Sequence, residues 1–285
     1  MRCMVLWWVV ALLPTAFAVG QFTRYVGEDR YGRFWLEGTG SLAFMRASTD
    51  LNGNRLLSGS HLHSGSEFGV RIDWHKGLAF HLKHLRGWIS GADSTSRRSG
   101  TSVDIGRKLR NLHFVSPLTE WSINIEFQPL RLCSKQVSSQ PAAVVGFGMY
   151  QFRPKGFIDG QWVDLHSLRT EGQGLKGYSS PYKLRQNCIL LGVGMGYQWN
   201  PSITTRIMAE HRILFNDHLD DVSTIYTDLE LMRAQLDRQQ MQQLNAWYAQ
   251  TDQRLRRVGS ARGNPGKNDA YTTVKISLEV VLWQR

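Results

Sequence analysis

Apolar and polar residues alternate along much of this chain. The stretch 120–128, EWSINIEFQ, sets Trp121, Ile123, Ile125 and Phe127 on one face of an extended backbone and Ser122, Asn124, Glu126 and Gln128 on the other. That is the two-residue period of a β-strand. The same alternation recurs at 33–47, 66–75, 78–90, 142–152, 188–199, 203–215 and 270–283, and with 119–128 it makes a set of eight. Runs of this size match the roughly 9–11 residues that a tilted strand needs to cross a bilayer, and eight is the smallest common strand number of an outer-membrane barrel.

The chemistry of the two faces decides which one meets water. Phe68, Val70, Ile72 and Trp74 oppose Arg71 and Asp73, while Val274, Ile276, Leu278 and Val280 oppose Lys275, Ser277 and Glu279. A soluble core would have to desolvate those charges, whereas a narrow barrel interior pairs and hydrates them. Gly192, Gly194 and Gly196 alternate with Val193, Met195 and Tyr197, leaving room in the lumen for Arg206, Glu210 and Arg212. The reading is an all-β, antiparallel transmembrane β-barrel of about eight strands, with its apolar faces toward lipid.

Connection lengths support it, because such barrels alternate short periplasmic turns with long outer loops. Short links lie around Lys76 and Pro201, and the outer loops are 91–118, 153–187 and 215–269. The segment 129–141 is the exception, a periplasmic connection longer than a tight turn. Its Leu130, Arg131, Leu132, Lys135 and Val137 form the candidate contact for a partner. Before the last strand, 227–258 lacks Pro and Gly and carries Leu229, Met232, Leu236, Leu244, Trp247 and Val258 near one stripe, which predicts an amphipathic helical insertion. Such a helix serves either as a docking surface or as a lid packed over the barrel mouth. Asp228 supplies a charge at its start.

Composition adds the compartment. Arg2, a short apolar run and TAFA ending at Ala18 read as a secretory signal peptide over 1–18, leaving 19–285 as the exported barrel. Export removes nucleic acid as the partner for a net charge of +11 and leaves anionic lipid headgroups or acidic surfaces. Cys133 and Cys188 survive in the exported chain. The topology puts them at opposite ends of the barrel, about 30 Å of bilayer core apart, beyond the roughly 7 Å reach of a disulfide.

Enzymatic signals are sparse. The glycine-rich GFGMY and LGVGMGY lie inside strands rather than between a strand and a helix, so neither is a nucleotide loop. Asp220 and Asp221 suit a turn or cap better than a cation, and the nine His are scattered along the chain and give no metal site. No cofactor is expected. His81, His84 and His166 keep open a lipid A-modifying barrel enzyme, which would need them near one rim.

The loop segments 146–174, 215–228 and 262–271 resemble the PorG-like family of outer-membrane β-barrels of Bacteroidota. The matching positions include Asp159, Trp162, Asp164, Thr170, Glu171 and Gly172, then Asp217, Asp220, Asp221 and Tyr226, then Asn264, Pro265 and Asp269. The resemblance implies a non-catalytic part in type IX secretion, alongside the periplasmic ring of PorK and PorN. For the residues themselves, Asp and Gly are expected to set turns while Trp162 and Tyr226 pack the outer loops into a cap. The long helical stretch inside 227–258 departs from the family pattern.

Overall fold

A computed structural model describes residues 34–51, 61–75, 77–95, 102–133 and 138–284. The signal peptide read at 1–18 lies outside them. Eight strands form the barrel: β1 (Trp35–Ser48), β2 (His63–His75), β3 (Leu78–Ala92), β4 (His113–Phe127), β5 (Ser139–Phe152), β8 (Arg185–Asn200), β9 (Ile203–Leu214) and β10 (Ala270–Gln284). Each pairs antiparallel with its neighbours in chain order. β1 pairs with β10 from Trp35↔Gln284 to Ser48↔Ala270 and closes the sheet.

All eight predicted strands are present, and most run further than the alternation suggested. β4 begins at His113, inside the stretch read as loop 91–118, and β8 at Arg185, inside 153–187. Strands of 12 to 16 residues exceed the roughly 9–11 needed for a bilayer, so their loop ends stand above it. A short hairpin, β6 (Lys155–Ile158) and β7 (Gln161–Asp164), continues the sheet there, with Lys155 opposite Val115 of β4.

The face question is settled on β4. Trp121, Ile123, Ile125 and Phe127 are 53%, 65%, 43% and 39% exposed, whereas Ser122, Asn124, Glu126 and Gln128 are at most 2% exposed. On β8, Ile189, Leu191, Val193, Met195, Tyr197 and Trp199 all point outward and are exposed. Ten steps of about 3.3 Å, tilted about 40°, span roughly 25 Å, the height of a lipid-facing apolar band. Phe34, Trp74 and Phe80 form a chain of ring contacts at the turn end, where interfacial aromatics belong.

At the loop end the interior changes character. Met45, Leu85, Ile89, Phe114, Leu118, Tyr150, Phe152 and Leu214 from the strands merge into one apolar core with Leu165, Leu168, Leu219, Val222, Tyr226, Leu244 and Trp247 from the loops. The loops thus form a packed cap over the barrel mouth.

The predicted helix over 227–258 is two helices, α4 (Leu229–Met232) and α5 (Arg238–Ala249). α1 (Ser102–Arg110), α2 (Leu130–Cys133) and α3 (Leu165–Leu168) precede them. The break comes from Asp237, which caps α5: its side chain accepts from the Gln240 amide while the Gln240 side chain accepts from the Asp237 amide. A reciprocal capping box starts a helix rather than continuing one. Asp228 likewise caps α4 by accepting from the Glu230 amide. Met232, Leu236, Leu244 and Trp247 are buried as the stripe predicted, while Val258 is exposed. Of the two uses open to the insertion, packing over the mouth is the one seen.

Candidate functional site

The lumen is filled with charge in two layers. Near the turn end Arg71 reaches Glu37 at 2.8 Å, Glu126 at 3.2 Å and Asp73 at 3.4 Å. Arg206 grips Glu279 through two hydrogen bonds of 2.9 Å and lies 3.3 Å from Glu126. The second layer joins Lys83, Lys275 and Arg212 to Glu67, Glu120 and Glu210: Lys275 is 2.7 Å from Glu210, Lys83 is 3.1 Å from it, and Arg212 bridges Glu210 at 2.9 Å and Glu120 at 3.1 Å. Tyr271 donates to Glu120 from the core side.

Some partners are on the same or adjacent strands, as Arg71 and Glu37 are, but Lys83–Glu210, Arg206–Glu126 and Arg212–Glu120 join strands several places apart around the wall, so these ion pairs cross the bore. The β8 glycines make this possible. A Cβ at Gly192 would stand 2.8 Å from the Glu210 side chain, and one at Gly196 would stand 2.8 Å from the Arg206 guanidinium. This is the room that the sequence predicted for Arg206 and Glu210, whereas Gly194 faces Met208 rather than Arg212. Between the layers a cavity of about 10 Å³ remains, lined by Thr39, Glu67, His81, Glu126, Arg206 and Lys275 among others. It has room for about one water, and the lumen is a packed interior rather than a channel.

In the cap, the residues of the three loop motifs come together. Arg262, fully buried, donates to Glu171 at 2.8 Å and to the Asp221 carbonyl, and lies 3.5 Å from the Asp221 carboxylate. Glu171 also accepts from the Ser223 and Thr224 amides at 2.8 and 3.0 Å. Asp221, in the left-handed region at φ 64°, accepts from Thr170 at 2.5 Å and from the Tyr182 hydroxyl at 2.7 Å. Burial pushes the Asp221 carboxyl up to about 6, against the pull of Arg262. Gly172 has φ 72°, and a Cβ there would meet the Thr227 hydroxyl at 2.7 Å, so a side chain is excluded twice over.

The remaining motif residues take separate posts. Asp159 and Gly160, both at positive φ, turn the β6–β7 hairpin. Asp164 caps α3 and pairs with Arg153 at 2.6 Å. Tyr226 packs edge-on against Tyr248, as expected of a cap residue. Trp162 corrects its expectation: it is exposed on the outside of the hairpin against Phe157 and His113, and Trp247 of α5 is the indole inside the cap. Asp220 accepts from the Val222 amide at 2.9 Å and the Leu51 amide at 3.2 Å, in the turn role predicted. Asp269 accepts from Leu219 at 2.8 Å. The Asn264 amide donates to Asp50 at 2.5 Å, and Pro265 is exposed beside it.

Sequence reasoning did not single out Arg262, Arg110, Asp93 or Asp50. Arg110 forks onto both oxygens of Asp93 at 2.7 and 2.8 Å and donates to the carbonyls of Asp50 and Arg262. An Arg in a polar loop carries no local signal that it is buried.

At the turn end, α2 leans over the barrel floor. Arg131 pairs with Asp73 and donates to Gln128 at 3.2 Å, while Leu130 is exposed. The Leu132 side chain, Lys135 and Val137 lie outside the described residues. Cys188 is a buried free thiol. The three His of the enzymatic reading stand apart: His81 beside Glu126 in the lumen, His84 against Trp121 on the outer wall, and His166 against Tyr182 in the cap.

No family model and no curated protein matches the chain. Among solved structures, it is similar to Neisserial surface protein A at 11% identity and TM-score 0.37, covering 87% of this chain and 98% of that one. It is similar to Ail of Yersinia pestis, crystallised with the heparin analogue sucrose octasulfate, at 8% identity and TM-score 0.39, covering 88% and 99%. The N-terminal β-barrel domain of Pseudomonas aeruginosa OprF aligns at 6% identity and TM-score 0.30, covering 87% and 98%. At these values the architecture stands on the strand pairings themselves, which define a closed, eight-stranded antiparallel barrel of the outer-membrane type.

Proposed function

We propose that this chain is a non-catalytic outer-membrane component of the type IX secretion machinery, tying the periplasmic ring of PorK and PorN to the membrane. The observation that supports this reading is that the PorG-like loop segments are not scattered. Glu171, Asp221 and Tyr226 meet in one buried cap around Arg262, so the resemblance describes a folded unit. The lumen, crossed by ion pairs, suits an anchor better than a conduit.

The contact to the ring is assigned to the connection 129–141, whose Leu130, Leu132, Lys135 and Val137 are the candidate contacts, while Arg131 is paired with Asp73. Affinity purification of the tagged protein from solubilised outer membrane tests the function, with PorK and PorN expected to co-elute. A variant with 130–140 replaced by an Asn-Gly turn is expected to stay heat-modifiable on gels and to lose those partners. Ring proteins retained by that variant would move the contact elsewhere. Their absence from the wild-type eluate would remove the secretion reading.

A further inference from the structure

The cap holds a second group of carboxylates. Asp50, Asp217, Asp220 and Asp269 come from three segments that meet at the barrel mouth: the end of β1, the loop 215–222 and the loop before β10. Backbone amides tie three of them in place, Asn264 to Asp50, Leu51 and Val222 to Asp220, and Leu219 to Asp269. Asp217 differs. It is 5% exposed, and neither of its carboxylate oxygens accepts a hydrogen bond. The Ser223 hydroxyl eases it only from outside hydrogen-bonding geometry.

Cations do not balance the group. Among the described residues no Lys or Arg forms an ion pair with Asp217, Asp220 or Asp269. Arg110 is committed to Asp93, and Arg262 to Glu171 and Asp221. Arg107, Arg110 and Lys267 ease the Asp50 carboxylate through space, and Glu171 adds further negative charge beside Asp217. Burial pushes the neighbouring His218 imidazole down from its ordinary value. Nor are three acidic, His or Cys side chains among the described residues arranged to hold a metal ion.

We propose that Asp50, Asp217, Asp220 and Asp269 form a proton-binding site that keeps the cap closed at mildly acidic pH and loosens it as those protons leave. Each proton bound removes one of the negative charges that repel one another through space and gives a carboxyl that can donate a hydrogen bond. Burial first, then the Asp220 and Asp50 charges, push Asp217 up to about 8. Burial and Asp50 push Asp220 up to about 7 against its hydrogen bonds and Arg110. Burial, Asp220 and Asp217 hold Asp269 well above the carboxylate range.

The direction follows from linkage. These groups bind protons more tightly folded than unfolded, so their stabilisation is complete below the unfolded value of about 4 and is lost as pH rises through about 7 to 8. This is the reverse of ordinary acid lability.

Hydrogen exchange on the intact barrel in detergent tests it, comparing the segment 215–228 with β4 after correction for base-catalysed intrinsic exchange. Between about pH 6 and about pH 9, protection of 215–228 relative to β4 is expected to fall by up to about tenfold per pH unit for each proton released. D217N is expected to flatten that fall and keep protection at high pH. A wild-type ratio that does not change with pH overturns the proposal. So does an unaltered pH response in a D217N variant that remains heat-modifiable; if D217N does not fold, the wild-type ratio decides alone. Protection restored at about pH 9 by calcium and lost at about pH 6 with a chelator would overturn it in favour of a cation site.

Discussion

In the middle of the lumen three carboxylates meet three cations, whereas in the cap Asp217, Asp220 and Asp269 share no ion pair with any described Lys or Arg. The difference follows from what surrounds each region. A charge inside the barrel wall has lipid behind it, so a fixed counter-charge across the bore is its available compensation. The cap borders bulk water, where a carboxyl can take up a proton instead. Glu171 and Asp221 show the other solution within the same cap, since Arg262 is built in for them.

Four substitutions break or sharpen this contrast. The largest effect is expected from Arg262→Ala, which leaves Glu171 and Asp221 buried without their cation and destabilises the cap by about 3–5 kcal/mol. Proteolysis would then nick 215–269 while the barrel keeps its heat-modifiable band. A simultaneous loss of the barrel would show that the two regions are not separable.

Ile123→Arg is the converse, expected to cost the barrel about 2–4 kcal/mol near the bilayer midplane while leaving the protease resistance of the folded cap unchanged. Urea-dependent folding into lipid vesicles measures it. A smaller, local effect is expected from Asp237→Ala, about 1 kcal/mol from loss of the α5 cap, read as faster exchange of the α5 amides. Trp162→Ala should stay within about 0.5 kcal/mol, because the indole sits on the outside of the hairpin; a large drop in cap melting temperature would restore it to the interior.

The barrel was legible because a strand with lipid on one side and ions on the other writes both environments into a period of two. Arg71, Asp73, Glu126 and Lys275 each sit between apolar neighbours, Glu210 between Ala209 and His211, and each proved to point inward. Turn lengths then supplied the topology. The cap was legible only in part. The strands β6 and β7 have four residues each, too few for a period, and only Asp159-Gly160 marks their turn. The 227–258 stretch has helical composition throughout, and one Asp at 237 divides it by accepting a hydrogen bond from the Gln240 amide. Trp162 and Trp247 look alike in sequence, and which is buried depends on how Gly156 admits the Trp247 ring, against which a Cβ would stand at 2.5 Å. Arg262 needed three segments to converge before its burial had a meaning.

The seam between β1 and β10 also sets an order of events. Lys275 on β10 finds Glu67 on β2, and Ser277 finds Ser41 on β1, across the junction between the last strand made and the first. Until the C-terminal strand arrives, Glu67 lacks that partner, and a half-built sheet exposes its charged face along an open edge that lipid cannot solvate. Closing the cylinder and neutralising its interior are therefore the same step, and the seam works as a latch that penalises an unfinished barrel.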